Sequence, residues 1–280
     1  MAAKPHRNVY PRSAVRHSAT TIAFSSLRKD KAMSDLSHKT ALVTGASRGI
    51  GRATALALAA AGARVIVHYG SGRDEAEAVA TTIRDAGGKA DALGADLGAL
   101  DGPHELAAAV RERVGARLDI LVASAGVATA ATIEDQTVAD FDRLFAVNVR
   151  APFFLVQQLL PALGEGSSIV LLSSLAARAR VGDLSAYAAT KGAIDTLVKH
   201  LASSLGPRGI RLNAIAPGVI DTDMSAFVRS EDGRRFTLGM QALQRIGQPD
   251  DVADAIVFLA SDASRWITGQ TIEASGGSKL

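Results

Sequence analysis

The sequence predicts an α/β protein: one doubly wound domain around a seven-stranded parallel sheet with helices on both faces. Three observations carry this. From Thr40 onward, short β-branched runs alternate with longer Ala-rich amphipathic stretches, the pattern of repeated βα units. Most of the short runs are apolar throughout, as in Ala41-Leu42-Val43, Val65-Ile66-Val67 and Ile169-Val170-Leu171-Leu172, as strands covered on both faces must be. A glycine-rich turn directly follows the first run and opens a helical stretch.

In chain order, strands are expected at 40–44, 64–69, 89–93, 119–123, 167–173, 210–215 and 270–274, with helices between them. No linker interrupts the pattern, so residues 37–280 read as a single domain. The stretch 222–248 is long and weakly patterned, and a compact fold keeps such a loop for a lid or a binding surface. Ahead of the domain, residues 1–36 read as a basic extension, since residues 1–29 hold Lys4, Arg7, Arg12, Arg16, Arg28 and Lys29 without one Asp or Glu. A transit peptide, a nucleic-acid-binding arm and a dispensable extension compete for it. The last is favoured, because Met33 is followed within a few residues by the first strand, as at an independent start.

Composition narrows the function. The chain has 280 residues, 48% of them hydrophobic, enough for a core that removes roughly three quarters of the unfolded surface from water. The absence of Cys excludes disulfides, thiolate metal sites, iron–sulfur clusters and a cysteine nucleophile, and permits a reducing compartment. His6, His17, His38, His68, His104 and His200 include no pair spaced to place two metal ligands on one helix face, so no metal is expected. No apolar run reaches the length of a membrane span. A soluble, cytoplasmic protein with neither membrane nor nucleic acid as partner is therefore expected.

The glycine turn reads Thr44-Gly45-Ala46-Ser47-Arg48-Gly49-Ile50-Gly51. Its glycines let the backbone turn tightly, and the free N–H groups at the start of the following helix face an anion. The Thr-Gly-x-x-x-Gly-Ile-Gly form resembles the short-chain dehydrogenase/reductase family. That resemblance implies a Rossmann-type fold holding a nicotinamide dinucleotide, with Gly45, Ser47, Arg48, Gly49, Ile50 and Gly51 at its phosphates. It further implies Asp96 and Leu97 at the adenine, Ala125 and Gly126 near a cofactor ribose, and Pro217, Gly218, Ile220 and Thr222 at the nicotinamide. Two departures stand out: Ala123-Ser124 replaces the family's Asn-Asn ahead of Ala125-Gly126, and Ser275 replaces the Asp before Gly276-Gly277. Members that prefer NAD carry an acid at the end of the second strand, where this chain has Tyr69. With that repulsive element missing, and with Arg48, Ser71 or Arg73 available as phosphate donors, NADP(H) is favoured over NAD(H).

Tyr187-Ala188-Ala189-Thr190-Lys191 puts Tyr187 and Lys191 one helical turn apart on the same face. A phenol titrates near 10 and works at neutral pH only if a nearby cation stabilises the phenolate. Ser174 stands thirteen positions before Tyr187, and Asn148 lies in an otherwise apolar helical stretch. The resemblance assigns these four residues direct hydride transfer between nicotinamide and a carbonyl or carbinol carbon. Tyr187 is the general acid/base, Lys191 lowers its pKa and binds the ribose, Ser174 holds the substrate oxygen, and Asn148 supports a proton relay. Ser173 is the adjacent alternative to Ser174.

A serine hydrolase is disfavoured because no His lies near the end of a strand in the later half of the fold. A non-catalytic, nucleotide-sensing regulator would be expected to lose Tyr187 or Lys191, and neither is lost. The resemblance extends to 3-oxoacyl-carrier-protein reductases, glucose dehydrogenases and naphthol reductases. Arg208 matches one basic rim position of the carrier-protein enzymes, but Glu165 occupies another. Arg178 and Arg180 follow Ser174 closely, and the expected lid mixes Met224, Phe227, Phe236, Leu238 and Met240 with Arg229, Arg234 and Arg235, suggesting a partly apolar ketone. A homotetramer or homodimer is implied, built on helices around 137–162 and 185–205 and on the last strand with its preceding helix.

Overall fold

The first apolar run forms β1 (Thr40–Thr44), and six more strands join it: β2 (Arg64–Tyr69), β3 (Lys89–Gly94), β4 (Ile120–Ala123), β5 (Ser168–Leu172), β6 (Arg211–Pro217) and β7 (Thr271–Ala274). The structure, a computed structural model, describes residues 35–279; the expected extension over 1–36 lies almost wholly outside the described residues. All seven strands are parallel, in the order β3-β2-β1-β4-β5-β6-β7. They lie where the sequence placed them, with ends displaced by one or two residues. β6 runs on to Pro217 because that residue still pairs with Ala274.

Helices cover both faces: α1 (Gly49–Ala60), α2 (Arg73–Asp85) and α8 (Pro249–Ala260) on one side, α3 (Gly102–Val114), α5 (Ala151–Leu159) and α6 (Ser185–Leu205) on the other. Strand alternation divides the core between them. Ala41 and Val43 of β1 join the cluster with Leu58, Ile83 and Ile256, whereas Leu42 joins Leu106, Leu155 and Val198. β1 is flanked by β2 and β4, so the chain winds outward in opposite directions from this point and leaves a crevice at the carboxyl ends of the two inner strands.

Two stretches are more structured than expected. The helix around 137–162 is divided: α4 (Val138–Phe145) passes through a π-turn, Ala146–Arg150, into α5. The segment 222–248 carries a 3-10 stretch, Asp223–Arg229, and the helix α7 (Glu231–Leu238). Local chemistry accounts for α7: the Ser230 hydroxyl accepts the Gly233 N–H at 3.1 Å, and Arg235 pairs with Glu231 one turn earlier at 3.1 Å. The periodicity is lost because Met224, Phe227 and Phe236 stay exposed instead of forming a buried stripe. Among the described residues, no helix is long and apolar enough to cross a membrane.

At the opposite, amino-terminal ends of the strands, Asp119 fastens the start of β1. It is 5% exposed, accepts the Thr40 N–H at 2.9 Å and the Arg117 Nε–H at 2.7 Å, and lies 3.7 Å from Lys39. Asp119→Ala leaves the Thr40 amide without its side-chain acceptor, so a loss of roughly 1–3 kcal/mol is expected in urea denaturation.

Candidate active site

Steric constraint sets the glycine turn. Thr44 ends β1, and its Oγ1 accepts the Ala125 N–H at 3.0 Å, drawing the ends of β1 and β4 together. Gly45 has φ +64°, and a Cβ there would stand 2.8 Å from the Ala125 Cα. A Cβ on Gly51 would stand 2.2 Å from the Gly45 carbonyl oxygen, so α1 packs against its own approach loop. At the start of α1, Arg48 is extended and makes no side-chain capping bond, and the first turn carries no acid. Its N–H groups are therefore open to an external anion, and the bare backbone around them has the shape a pyrophosphate requires.

His68 is a residue of this site that sequence reasoning missed. It is 1% exposed near the end of β2; its Nδ1 accepts the Gly45 N–H at 3.2 Å, its Nε2 is 3.1 Å from the Ala95 carbonyl, and its own carbonyl accepts the Ala46 N–H at 2.8 Å. These partners fix the neutral tautomer with the proton on Nε2. Burial lowers its pKa to about 4, against the opposing bond to Ala95. The available signal was a single titratable residue in an otherwise apolar strand end.

Around this turn, the Tyr69 ring lies against Gly94, where a Cβ would come within 2.8 Å of it. Ser71, Arg73 and Arg48 are exposed, and Arg48 makes a 4.0 Å ion pair with Asp223. Glu75 also approaches: a Cβ on Gly72 would be 3.1 Å from its Oε2 and 3.2 Å from the Ser47 Oγ. Asp96 accepts the Gly98 N–H at 2.8 Å, Leu97 is buried, and Arg150 donates to the Gly98 and Ala99 carbonyls, steadying the turn after β3. The segment after β6 meets the glycine turn, since Thr222 Cγ2 would be 3.3 Å from a Cβ on Gly49. Ile220 is buried, and a Cβ on Gly218 would be 2.9 Å from the Ser275 Cα.

Asn148, Ser174, Tyr187 and Lys191 converge beside Gly126. Asn148 lies in the π-turn, 2% exposed; its Oδ1 accepts the Val127 N–H at 2.9 Å, and its Nδ2 donates to the Val127 carbonyl at 2.9 Å and to Thr190 Oγ1 at 3.1 Å. Thr190 Oγ1 in turn donates to the Tyr187 carbonyl at 2.6 Å. Asn148 thus orients the helical turn between Tyr187 and Lys191, through a threonine that the sequence did not single out. The adjacent serines separate cleanly. Ser173 is buried and donates to the Lys191 carbonyl at 3.4 Å, whereas the Ser174 hydroxyl bonds to the Tyr187 side chain and accepts the Ala176 N–H at 3.1 Å.

The electrostatics differ from the sequence expectation at one point. Burial raises the Tyr187 pKa, and the opposing influence is the Ser174 hydrogen bond rather than Lys191. The reason is geometric: Lys191 Nζ donates to the Leu172 carbonyl at 2.7 Å and lies 5.5 Å from the centroid of the Tyr187 ring. Burial also lowers Lys191 to about 8, with Asp195 acting in the other direction. Asp195 is itself held by Thr271 Oγ1 at 3.0 Å.

A cleft of about 500 Å³ opens beside the segment after Ser174, walled by Ile133, Ala176, Ala179, Val181 and Leu184. Arg180 pairs with Asp183 at 3.7 Å, and Arg178 is bound to Glu273. A second cleft, of about 510 Å³, lies on the outer face of α4 and α5, lined by Phe145, Val149 and Phe153; Asn148, Ser174, Tyr187 and Lys191 line neither cleft. Among the described residues, no group of His, Asp or Glu is arranged to hold a metal ion.

Comparison with known proteins agrees with this fold. A family model described as enoyl-(acyl carrier protein) reductase matches residues 45–279. The chain is 41% identical to versicolorin reductase stcU of Emericella nidulans, covering 86% of this chain and 96% of that protein. It is 39% identical to the short-chain dehydrogenase/reductase FrzI of a Cladobotryum species, covering 86% and 96%. The chain belongs to the short-chain dehydrogenase/reductase family. It is accordingly an oxidoreductase. Among solved structures, the angucycline C-6 ketoreductase LanV with bound NADP is similar to this short-chain dehydrogenase/reductase at 42% identity and TM-score 0.83, covering 88% of this chain and 97% of that one.

The His68 geometry gives a pH dependence. Its folded pKa of about 4 lies below the ordinary 6.5, so the unfolded chain takes up the proton first and stability is lost as pH falls from about 6.5 towards 4. The loss approaches roughly 3 kcal/mol. In His68→Asn, that part of the pH dependence is expected to disappear from urea denaturation curves measured between these limits.

Proposed function

We propose that this protein is an NADP(H)-dependent carbonyl reductase in which Tyr187 exchanges a proton with the substrate oxygen. The observation that carries the reading is the meeting of the Tyr187 and Ser174 hydroxyls beside the buried Lys191, next to the glycine turn. The bare cradle at Gly45, Gly49 and Gly51 fits a dinucleotide, with Ser47, Arg48 and Ile50 completing its phosphate contacts. Tyr69 and Ser71 flank the adenosine ribose, Asp96 and Leu97 the adenine, Ala125 and Gly126 the other ribose, and Pro217, Gly218, Ile220 and Thr222 the nicotinamide. When bound, the nicotinamide supplies hydride for reduction or accepts it for oxidation.

The chain's own groups manage the proton. Burial keeps Tyr187 protonated, the form that donates to a carbonyl oxygen as negative charge develops there. Ser174 donates to the same oxygen, and the Lys191 cation stabilises the phenolate left behind. Asn148 holds the Tyr187–Lys191 turn in register through Thr190 and supports the proton relay from Lys191. NADP(H) is preferred because Tyr69 repels no 2′-phosphate, and the exposed Arg48 and Arg73 supply cations. Structures similar to this one, including LanV, are described with bound NADP.

The cleft wall mixes apolar Ile133, Ala176, Val181 and Leu184 with the ion-paired Arg178, Arg180 and Asp183, which suits a partly apolar ketone, in keeping with the angucycline ketoreductase and versicolorin reductase names of its relatives. A carrier-protein substrate is less well supported: Arg208 is turned onto the Leu160 and Leu163 carbonyls, and Glu165 sits on the same rim. We also propose a cytoplasmic homotetramer. Exposed apolar groups on two separate surfaces, Val138 and Phe141 of α4 and Phe258 with Trp266 beyond α8, support the assembly.

Tyr187→Phe is expected to cut NADPH-dependent ketone reduction by at least ~100-fold without changing NADPH affinity measured by fluorescence titration. Wild-type turnover should fall as pH rises through about 8, where Lys191 loses its charge. Tyr69→Asp should shift the ratio of the two dissociation constants towards NADH; an unchanged ratio would remove the basis for NADP preference.

A further inference from the structure

Ser174 opens a single 3-10 turn, Leu175–Ala177, and Arg178 closes it with its N–H on the Leu175 carbonyl at 3.1 Å. The hydrogen-bond geometry of a 3-10 turn is poorer than that of an α-helix, so an anchor at its far end steadies its direction. We propose that Arg178 and Glu273 form that anchor, making them positioning residues that set the substrate-side wall of the site; the proposal rests on the reductase reading given above.

Arg178 Nη2 reaches the Glu273 carboxylate and also lies 3.3 Å from the Ser278 carbonyl oxygen. Glu273 belongs to β7, where the backbone pairing of its neighbours with β6 makes it a rigid anchor. The two side chains are 36% and 35% exposed, so water only partly screens the pair. Ser278 is buried: its N–H donates to Ser275 Oγ at 3.3 Å and its Oγ to the Ser275 carbonyl at 2.6 Å. The same segment accepts the Ala242 and Leu243 N–H groups on Gly277 and Gly276, and Lys279 donates to the Met240 carbonyl at 2.8 Å. Arg178 therefore joins three pieces: the turn bearing Ser174, the last strand, and a strap running to the chain just beyond α7. The family resemblance places a carboxylate at 275, just beyond β7; Ser275 stands there, and the carboxylate that Arg178 meets is Glu273 within β7.

The test compares wild type, Glu273→Gln, Arg178→Gln, the double variant and the charge-reversed pair Arg178→Glu/Glu273→Arg. Steady-state reduction of α-tetralone with NADPH is measured alongside NADPH affinity, melting temperature and the rate of tryptic cleavage after Arg180. Each single variant is expected to raise KM by up to about five-fold, the upper end for a partly exposed ion pair. kcat, NADPH affinity and melting temperature should stay near wild type. The double variant should be no worse than either single one, charge reversal should recover part of the loss, and cleavage after Arg180 should be faster in the single variants. Unchanged KM and cleavage would overturn the proposal, as would additive effects, or losses of NADPH affinity and melting temperature that match the rise in KM. If wild type reduces no ketone, the reductase reading has failed; cleavage then decides the anchor alone, an unchanged rate overturning it and a faster one upholding it.

Discussion

The structure depends on how closely the ends of β1 and β4 approach. With Thr44 Oγ1 holding the Ala125 amide, the space outside Gly45 is filled by the Ala125 backbone, and the chain can leave β1 only through a conformation with positive φ. That exit aims the start of α1 at the crevice where the sheet's winding reverses. The anion-binding end of the helix and the carboxyl ends of β4 and β5 then face one space, and everything placed on those ends shares it. His68 reinforces the arrangement from the neighbouring strand by accepting the amide of the residue that turns.

Beyond this constraint, the site is held by buried groups whose bonding capacity is used within the protein. Asn148 spends both ends of its amide on Val127 and Thr190, so it acts as a brace between the π-turn and α6. Lys191 spends one bond on the Leu172 carbonyl, which holds its charge beside the Tyr187 ring but away from the hydroxyl. A buried phenol with a serine partner and no direct ammonium contact favours its protonated form.

Much of this was legible in the sequence, for identifiable reasons. Strands buried on both faces leave unbroken apolar runs, as in β1, β4 and β5, whereas the partly buried β3 and β7 were legible from their place in the βα alternation. The glycine turn was visible because only glycine satisfies its steric demands, and the Tyr187–Lys191 spacing because helical periodicity converts four residues into one turn. What was hidden depends on contacts between distant segments. Nothing local marks Thr190 as the link between Asn148 and Tyr187, or Glu273 as the partner of Arg178 nearly a hundred residues earlier. The Ser230–Gly233 cap of α7 was local, but exposed aromatic residues masked the helical period. Spacing places Lys191 on the right face without revealing that its ammonium bonds the Leu172 carbonyl.

The two walls of the crevice are fastened by different kinds of bond. On the nucleotide side the decisive links are short hydrogen bonds among buried groups, including an imidazole that holds its position only while neutral. On the side proposed for the substrate, the link is an ion pair open to solvent over about a third of its surface. Acidity therefore bears chiefly on the first wall and ionic strength on the second, since mobile ions screen partly exposed charges far more than buried dipoles. One crevice thus has two independent sensitivities to its medium, divided along the line between the cofactor and the molecule it would reduce.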